Sequence, residues 1–376
     1  MKNINLIYSK NTKRMKIKSG DFNIRDKAFT FEVNTEIFNG KVISLLMEFV
    51  QGVRQKNNMG KAPIRFLFPK AFTFADKLTY IIFECICFSL ISEGHRILIK
   101  MNPEPSILTE GVMSSPLLSL ALKDKEGFKK RFNMITENQH YRRLVPVNSK
   151  KEVLSILTSD IATFLKGNGI DQTSAYQFAE LSAELVGNSH EHSLSDCIVD
   201  IDVSSVHSHK KDSGEFIGIN LAIINFSNSN FGDLLKNNIE NNFTNSNSLK
   251  YEELKEIFLK HTSYFNDRYT DEVFFSLASL QPKISGQYMK SVNGVGGLGT
   301  LKLIEALIKQ AYRDNCYLYT GNKIVRFKDK LYLVENGWIG FNKQKNFKLP
   351  PDSSIIADSD FTLSGTAYNL NFIIKI

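Results

Sequence analysis

The segment FAELSAELVGNSHEH, residues 178–192 of the 376-residue chain, is the starting point for interpreting the fold. On a helix, Glu184, Asn188 and His192 are spaced i, i+4 and i+8, so the three side chains lie in one row along one face. A carboxylate, a carboxamide and an imidazole in one row can hold a hydrated Mg²⁺ ion and orient a water molecule. A polar row is usually a solvent-exposed helix face, so this row alone does not identify a site.

A glycine-rich run contains Gly294, Gly296, Gly297 and Gly299 and precedes the apolar pattern of a helix over 301–311. Glycines let backbone N–H groups approach an anion, and a helix N-terminus adds the positive end of its dipole. No Gly-Lys-Ser/Thr follows, so this is not a Walker A loop. The spacing also fits a dinucleotide fingerprint, but no convincing strand precedes it. A purely structural glycine loop is the remaining alternative.

Together these segments resemble the GHKL superfamily of ATP-binding domains, which includes gyrase, a heat-shock chaperone, histidine kinases and MutL. Glu184 and Asn188 are similar to the family's N-box, and the following residues to 192 are similar to the run found in anti-sigma and histidine kinases. The glycines at 297–299 look like the glycine box that ends the ATP lid. Gly365-Thr366 resembles the family's Gly-Thr before the last strand.

The resemblance implies a role for each matching residue. Glu184 would be the general base of ATP hydrolysis, Asn188 would coordinate the Mg²⁺ ion that bridges the phosphates, and Thr366 would support adenine from the sheet. The backbone of 294–299 would wrap the phosphates as a lid. The residues expected to bind the nucleotide are Asn188, His192, Asn225, Gly294, Gly296, Gly297, Leu298, Gly299, Thr300 and Thr366.

Asn225 departs from the family pattern. The family recognises the adenine amino group with the aspartate of D-x-G-x-G after a strand, whereas the equivalent stretch, 223–232, has Asn225 at that position and lacks the first glycine. An asparagine carbonyl can still accept a hydrogen bond from the amino group, without the charge-assisted strength of a carboxylate. We therefore expect weaker ATP binding or altered base selectivity, unless a shift in register brings Asp233 into use.

The chain is predicted to be an α+β protein with two domains. Residues 149–376 would form the ATP-binding domain, a Bergerat-type α/β sandwich in which a mixed sheet has helices on one face, with a long lid at 227–299. Residues 1–148 would form a smaller α/β domain, regulatory or partner-binding and faintly similar to STAS modules. A strand–helix–strand pattern within 64–100 predicts parallel pairing there.

Composition narrows the class of protein. The chain is 42% hydrophobic and 23% charged, which excludes a disordered or fibrous protein. Its four cysteines are too few for a disulfide framework, and the N-terminal residues contain no apolar core of a secretory signal. The most apolar stretch, 78–91, contains Glu84 and is too short to span a membrane. We therefore expect a cytoplasmic protein that makes no membrane contact.

The net charge of the chain does not identify a partner. The net charge is +8, concentrated in the N-terminal tail and within 123–151. These runs lack the interleaved aromatic residues of RNA-binding surfaces, so a solvated surface is favoured over nucleic-acid contact. A zinc site is also disfavoured, because His190 and His192 diverge on a helix and His207 and His209 lie in a polar loop.

The sequence therefore predicts a Mg-ATP-binding ATPase whose lid closure gates a protein partner or a homodimer. A non-hydrolysing nucleotide-sensing module is an alternative, given Asn225 and the incomplete glycine motif. An anti-sigma-type protein kinase is another, because Glu191 and His192 fit those members. A two-component kinase is disfavoured, since neither a phospho-acceptor helix nor a membrane sensor is evident.

Overall fold

Helices and strands are mixed along the whole chain, and the computed structural model has the predicted α+β class. The structure describes residues 1, 3–8, 15–16, 22–23, 27–56, 62–101, 106–107, 115–147, 152–208, 214–241, 249–284, 298–311, 316–328 and 331–376. The described helices are α1 (Gly40–Gln55), α2 (Lys77–Ser92), α3 (Pro116–Ala121), α4 (Lys125–Asn133), α5 (Glu152–Gly167), α6 (Gln172–Ser193), α7 (Asp233–Asn241), α8 (Leu249–His261), α9 (Asp271–Ser279) and α10 (Leu298–Gln310).

The described strands form two larger sheets and two small ones. They are β1 (Phe22–Asn23), β2 (Ala28–Glu32), β3 (Ile37–Phe38), β4 (Ile64–Phe68), β5 (Thr73–Phe74), β6 (Ile97–Met101), β7 (Ser106–Ile107), β8 (Met134–Glu137), β9 (His140–Val145), β10 (Cys197–Val203), β11 (His207–Ser208), β12 (Glu215–Phe226), β13 (Tyr317–Arg326), β14 (Val334–Glu335), β15 (Trp338–Ile339) and β16 (Ile356–Lys375). Short 3₁₀ helices occur at Ile4–Ile7, Thr262–Tyr264 and Ser353–Ile355.

The largest sheet has the order β13-β16-β12-β10-β9-β8, with β11 paired to β12. Every pairing between its described strands is antiparallel, so the prediction of a mixed sheet is wrong for this part of the chain. Two helices, α5 and α6, connect β9 to β10. An even number of long elements returns the chain to the edge from which it left, so the neighbouring strand runs in the opposite direction.

The centre of this sheet is buried on both faces. Side chains alternate along a strand, so Val199 and Ile201 of β10 belong to the apolar core that includes α5, α6 and α10. Ile198 of the same strand and Ile224 of β12 belong to a second core, shared with α1 and α2. The described helices of 149–376 lie on one face of the sheet, as predicted for that domain, and α1 and α2 of the N-terminal part cover the other face.

The N-terminal part builds a parallel sheet from β2, β4 and β6, with β1 antiparallel at one edge. β4 and β6 pair in parallel, as the strand–helix–strand pattern predicted. Helix α2 is apolar almost all round, because it is packed between this sheet and the large one.

The hairpin of β8 and β9 pairs with β10 and is part of the large sheet. The boundary predicted between residues 148 and 149 therefore separates two strands from the sheet to which they belong. Pro146 directly after β9 resembles a domain break in the sequence. The pairing that overrides it connects Val145 to Cys197, far along the chain, and no local pattern encodes that contact.

Candidate functional site

Helix α6 carries the polar row from which the function was predicted. Asp171 caps its N-terminus by accepting a hydrogen bond from the Ser174 amide at 3.0 Å, and Leu194 ends it in the left-handed conformation, with φ of 47°. Glu184 and Asn188 are both half-buried, one helical turn apart. Among the described residues, Glu184 has no ion-pair partner, so its carboxylate is free to contact water or a ligand.

His192, the third member of the row, lies in the last turn of α6, and its side chain is outside the described residues. The preceding histidine, His190, is half-buried, and its Nε2 lies 3.3 Å from the Val145 carbonyl oxygen of β9. That contact occupies one ring nitrogen of His190 with the protein backbone.

Ser189, beside Asn188, connects α6 to the sheet. Its hydroxyl donates to the Leu185 carbonyl at 3.1 Å, and Asn225 Nδ2 donates to Ser189 Oγ at 2.7 Å. Both side chains are buried. Asn225, the residue expected to recognise the base, is therefore hydrogen-bonded to the helix that carries Glu184 and Asn188. Ser189 was not among the predicted site residues, because a serine on a helix has no distinguishing sequence pattern.

Asn225 is also joined to the last strand. It is the register partner of Thr366, whose backbone N–H donates to Asn225 Oδ1 at 3.3 Å. Gly365 adopts a φ of 122°, and a Cβ there would lie 2.3 Å from the Asn225 backbone oxygen and 3.0 Å from Oδ1. Only glycine permits this close approach of β16 to β12.

Thr320 of β13 holds the loop that follows β12. Its hydroxyl donates to the Gly365 carbonyl at 3.1 Å and accepts from the Phe231 amide at 2.8 Å. Phe231 in turn accepts a hydrogen bond at its carbonyl from Ser276 of α9, also at 2.8 Å. The loop after Asn225 is therefore fixed to both the sheet and the helices of the predicted lid.

The predicted phosphate loop is only partly described. Gly294, Gly296 and Gly297 lie outside the described residues, so the prediction for them stays a prediction. Leu298, Gly299 and Thr300 form the first turn of α10, and nothing is described of their side chains. The helix itself is found where its apolar pattern predicted it.

Helix α10 packs against α6, and an ion pair marks the contact. Lys302 Nζ lies 2.8 Å from Oε2 of Glu180, which is one turn from Glu184. The glycine run therefore leads into a helix that touches the helix carrying the polar row. This brings two of the segments matched by the resemblance into contact.

A second polar cluster, not foreseen from the sequence, lies between α2 and the large sheet. It contains three basic and three acidic side chains, all buried: Lys77, His140, Arg142, Glu84, Asp200 and Asp202. Lys77 Nζ lies 2.5 Å from Asp200 Oδ1 and 2.6 Å from Asp202 Oδ2. The alternation of Asp200 and Asp202 on β10 was the available signal, since it puts two charges on one strand face.

Arg142 completes this cluster. Its Nη2 lies 2.5 Å from Glu84 Oε2, and its Nε pairs with Asp200. Burial acts to raise the pKa of Asp200, but Arg142, His140 and Lys77 outweigh it and hold that pKa well below its usual value. For Asp202 the burial is the stronger effect and its pKa is raised.

His140, Asp200 and Asp202 have ligand atoms close enough to share a metal ion. The ammonium of Lys77 already lies against both carboxylates, and a divalent cation would be repelled by it. The cluster is therefore a closed ion-pair network that joins α2 to the sheet.

Comparison of the chain with protein-family models, with curated proteins and with solved structures finds no match. The GHKL resemblance thus rests on the motifs and on the contacts between them. Across the described residues, every helix is too short or too polar to cross a bilayer.

Proposed function

We propose that the chain binds Mg-ATP in a Bergerat-type site of the GHKL class and hydrolyses it. One observation carries the proposal: three segments that the resemblance selects are joined by hydrogen bonds through Asn225. Ser189 is 36 residues from Asn225 and Thr366 is 141 residues from it. Segments that resembled the family only by chance would not be expected to lie next to one another. The parts of one ligand site must lie next to one another.

Glu184 and Asn188 supply the chemistry in this proposal. Asn188 Oδ1 would be a ligand of the Mg²⁺ ion on the phosphates, since hard cations prefer oxygen. Glu184, half-buried and without an ion-pair partner among the described residues, would orient and deprotonate the attacking water. His192 would contact the nucleotide from the end of the same row.

The base and the phosphates would lie at opposite ends of the site. Asn225 and Thr366 would meet the base, and because both are buried, a neighbouring side chain must move aside when the base binds. The glycine run and the N-terminus of α10 would bind the phosphates through backbone N–H groups. The contact of Lys302 with Glu180 supports that arrangement, because it brings α10 onto the polar helix.

The lid at 227–299 would close over the nucleotide and thereby gate a protein partner or a homodimer. Its helix α9 is tied to the site through Ser276 and Phe231, and α7 and α8 pack against α9, so a change at the base can be transmitted to all three. All four cysteines are buried and unpaired, which supports the proposal of a cytoplasmic location.

A non-hydrolysing nucleotide sensor is the second candidate, and the neutral Asn225 favours it. The steady-state rate of phosphate release with and without Mg²⁺ separates the two. Replacing Glu184 by alanine should lower the rate on the order of 10²–10⁴-fold while leaving ATP affinity nearly unchanged. The control is Gln177→Ala, an exposed position of the same helix that takes no part in the proposed site.

Phosphate release that is equal in wild type and Glu184→Ala contradicts hydrolysis by this site. ATP binding without any phosphate release identifies the sensor instead. Transfer of the phosphate to a serine of a protein partner would identify the anti-sigma-type kinase.

A further inference from the structure

The side-chain amide of Asn225 can adopt only one orientation among its described contacts. The hydroxyl proton of Ser189 is used on the Leu185 carbonyl, so Ser189 Oγ can only accept, and Asn225 Nδ2 must face it. The Thr366 backbone N–H can only donate, so Asn225 Oδ1 must face that strand. The two constraints come from different elements and agree.

We infer that Ser189 determines which base the site accepts, by holding Asn225 as a neutral hydrogen-bond acceptor. This inference rests on the proposed function. An amide oxygen has two lone pairs, and the Thr366 N–H occupies one. The other can accept from an exocyclic amino group, as in adenine. Guanine has a carbonyl oxygen at the same ring position, and two acceptors facing each other repel. Asn225 held in this orientation therefore favours adenine over guanine.

The same contacts explain why position 225 is asparagine. An aspartate has no proton for Ser189 Oγ, so Ser189 would have to turn its hydroxyl away from the Leu185 carbonyl. Asn225 is 1% exposed, and a carboxylate at that depth would lose its hydration. The asparagine is thus the residue that these contacts require, and it is not a weakened aspartate.

The test compares equilibrium binding of Mg-ATP and Mg-GTP to the full chain. Wild type should prefer ATP. In Ser189→Ala the acceptor of Asn225 Nδ2 is lost and only the Thr366 N–H still orients the amide, so the amide is held less firmly and the ATP-over-GTP ratio should fall about five- to tenfold. The matched control is Ser182→Ala: Ser182 is buried in the same helix and donates to the Phe178 carbonyl at 2.8 Å. The ATP-over-GTP ratio of Ser182→Ala should equal that of wild type.

Asn225→Asp gives a second test, because a carboxylate would bind the adenine amino group more tightly if the contacts of Asn225 did not matter. If asparagine is required by its contacts, the aspartate should bind ATP more weakly than wild type. Tighter ATP binding by Asn225→Asp, or an unchanged ratio in Ser189→Ala, overturns the inference and leaves the proposed function standing. Wild-type protein that binds neither nucleotide overturns the proposed function, and this inference with it.

Discussion

Among single residues, a few positions of the proposed site make contacts that only one residue type can make. Gly365 is the sharpest case, because its positive φ and the nearby Asn225 oxygens each exclude a side chain. Ser189 is another, because its hydroxyl donates to the Leu185 carbonyl and accepts from Asn225 Nδ2. These contacts would align Asn225 with Thr366 for a base.

Gly365→Ala should lower the free energy of unfolding by about 2–3 kcal/mol, because the new Cβ meets the Asn225 backbone and the φ of 122° is strained. Urea unfolding measures this. Gly337→Ala is the control: its φ of 79° is also positive, but nothing lies within 4 Å of a Cβ there. Equal losses in both variants would show that strain alone matters and that the approach of β16 to β12 is not tight.

Among the elements, the helices of the predicted lid pack into the same core as α5, α6 and the large sheet. His261 at the end of α8 is buried, with Nε2 2.8 Å from the Phe347 carbonyl and Nδ1 2.6 Å from the Tyr269 hydroxyl. Because a carbonyl can only accept, Nε2 carries the proton and the neutral ring satisfies both partners. Burial lowers the pKa of His261 below its usual 6.5.

The lowered pKa of His261 predicts that the protein becomes less stable as the pH falls. Below about pH 6.5 the unfolded chain takes up a proton at position 261 that the folded chain does not, so the free energy of unfolding falls as pH falls. His261 contributes at most about 1.4 kcal/mol per pH unit to the pH dependence of the free energy of unfolding. His261→Leu should have a smaller slope between pH 7 and 5, measured by urea unfolding, whereas the exposed His207→Leu should keep that of wild type. An unchanged slope in His261→Leu would contradict a neutral buried ring.

Much of the element pattern could be predicted from local sequence, and the long-range pairing could not. The α6 row and the apolar pattern of α10 follow helical spacing, and the parallel β4–β6 pair follows its connecting helix. The β8–β9 hairpin was assigned to the wrong side of the boundary, because its partner strand lies about fifty residues further along the chain. The hydrogen bond between Ser189 and Asn225 could likewise not be predicted, since no local sequence pattern links the two residues.

At the scale of the whole molecule, the buried ion-pair network joins the N-terminal part to the large sheet. Lys77 and Glu84 come from α2, Arg142 from β9 and Asp200 from β10, and all are nearly inaccessible to water. Buried ion pairs add little net stability but are costly to break. The network therefore fixes how α2 lies on the sheet.

Lys77→Met should lower the free energy of unfolding by about 3–5 kcal/mol, because Asp200 and Asp202 lose their shared cation. The double variant Lys77→Met with Asp202→Asn should recover part of the loss, since it removes one unpaired charge. Lys41→Met, at an exposed lysine of α1, is the control and should be near wild type. Urea unfolding decides the comparison. A loss below about 1 kcal/mol in Lys77→Met would contradict the network.

Binding of Mg-ATP through Asn188 and the residues around it underlies the other proposals for this chain. The most direct measurement is calorimetric titration of the full chain with ATP, with and without Mg²⁺. We expect saturable binding that Mg²⁺ strengthens, and we expect the Asn188→Ala variant to lose that Mg²⁺-dependent gain. Gln177→Ala, which removes an exposed carboxamide from the same helix, should retain the gain. No binding by the folded wild type at millimolar Mg-ATP, or a full Mg²⁺-dependent gain in Asn188→Ala, would contradict the account.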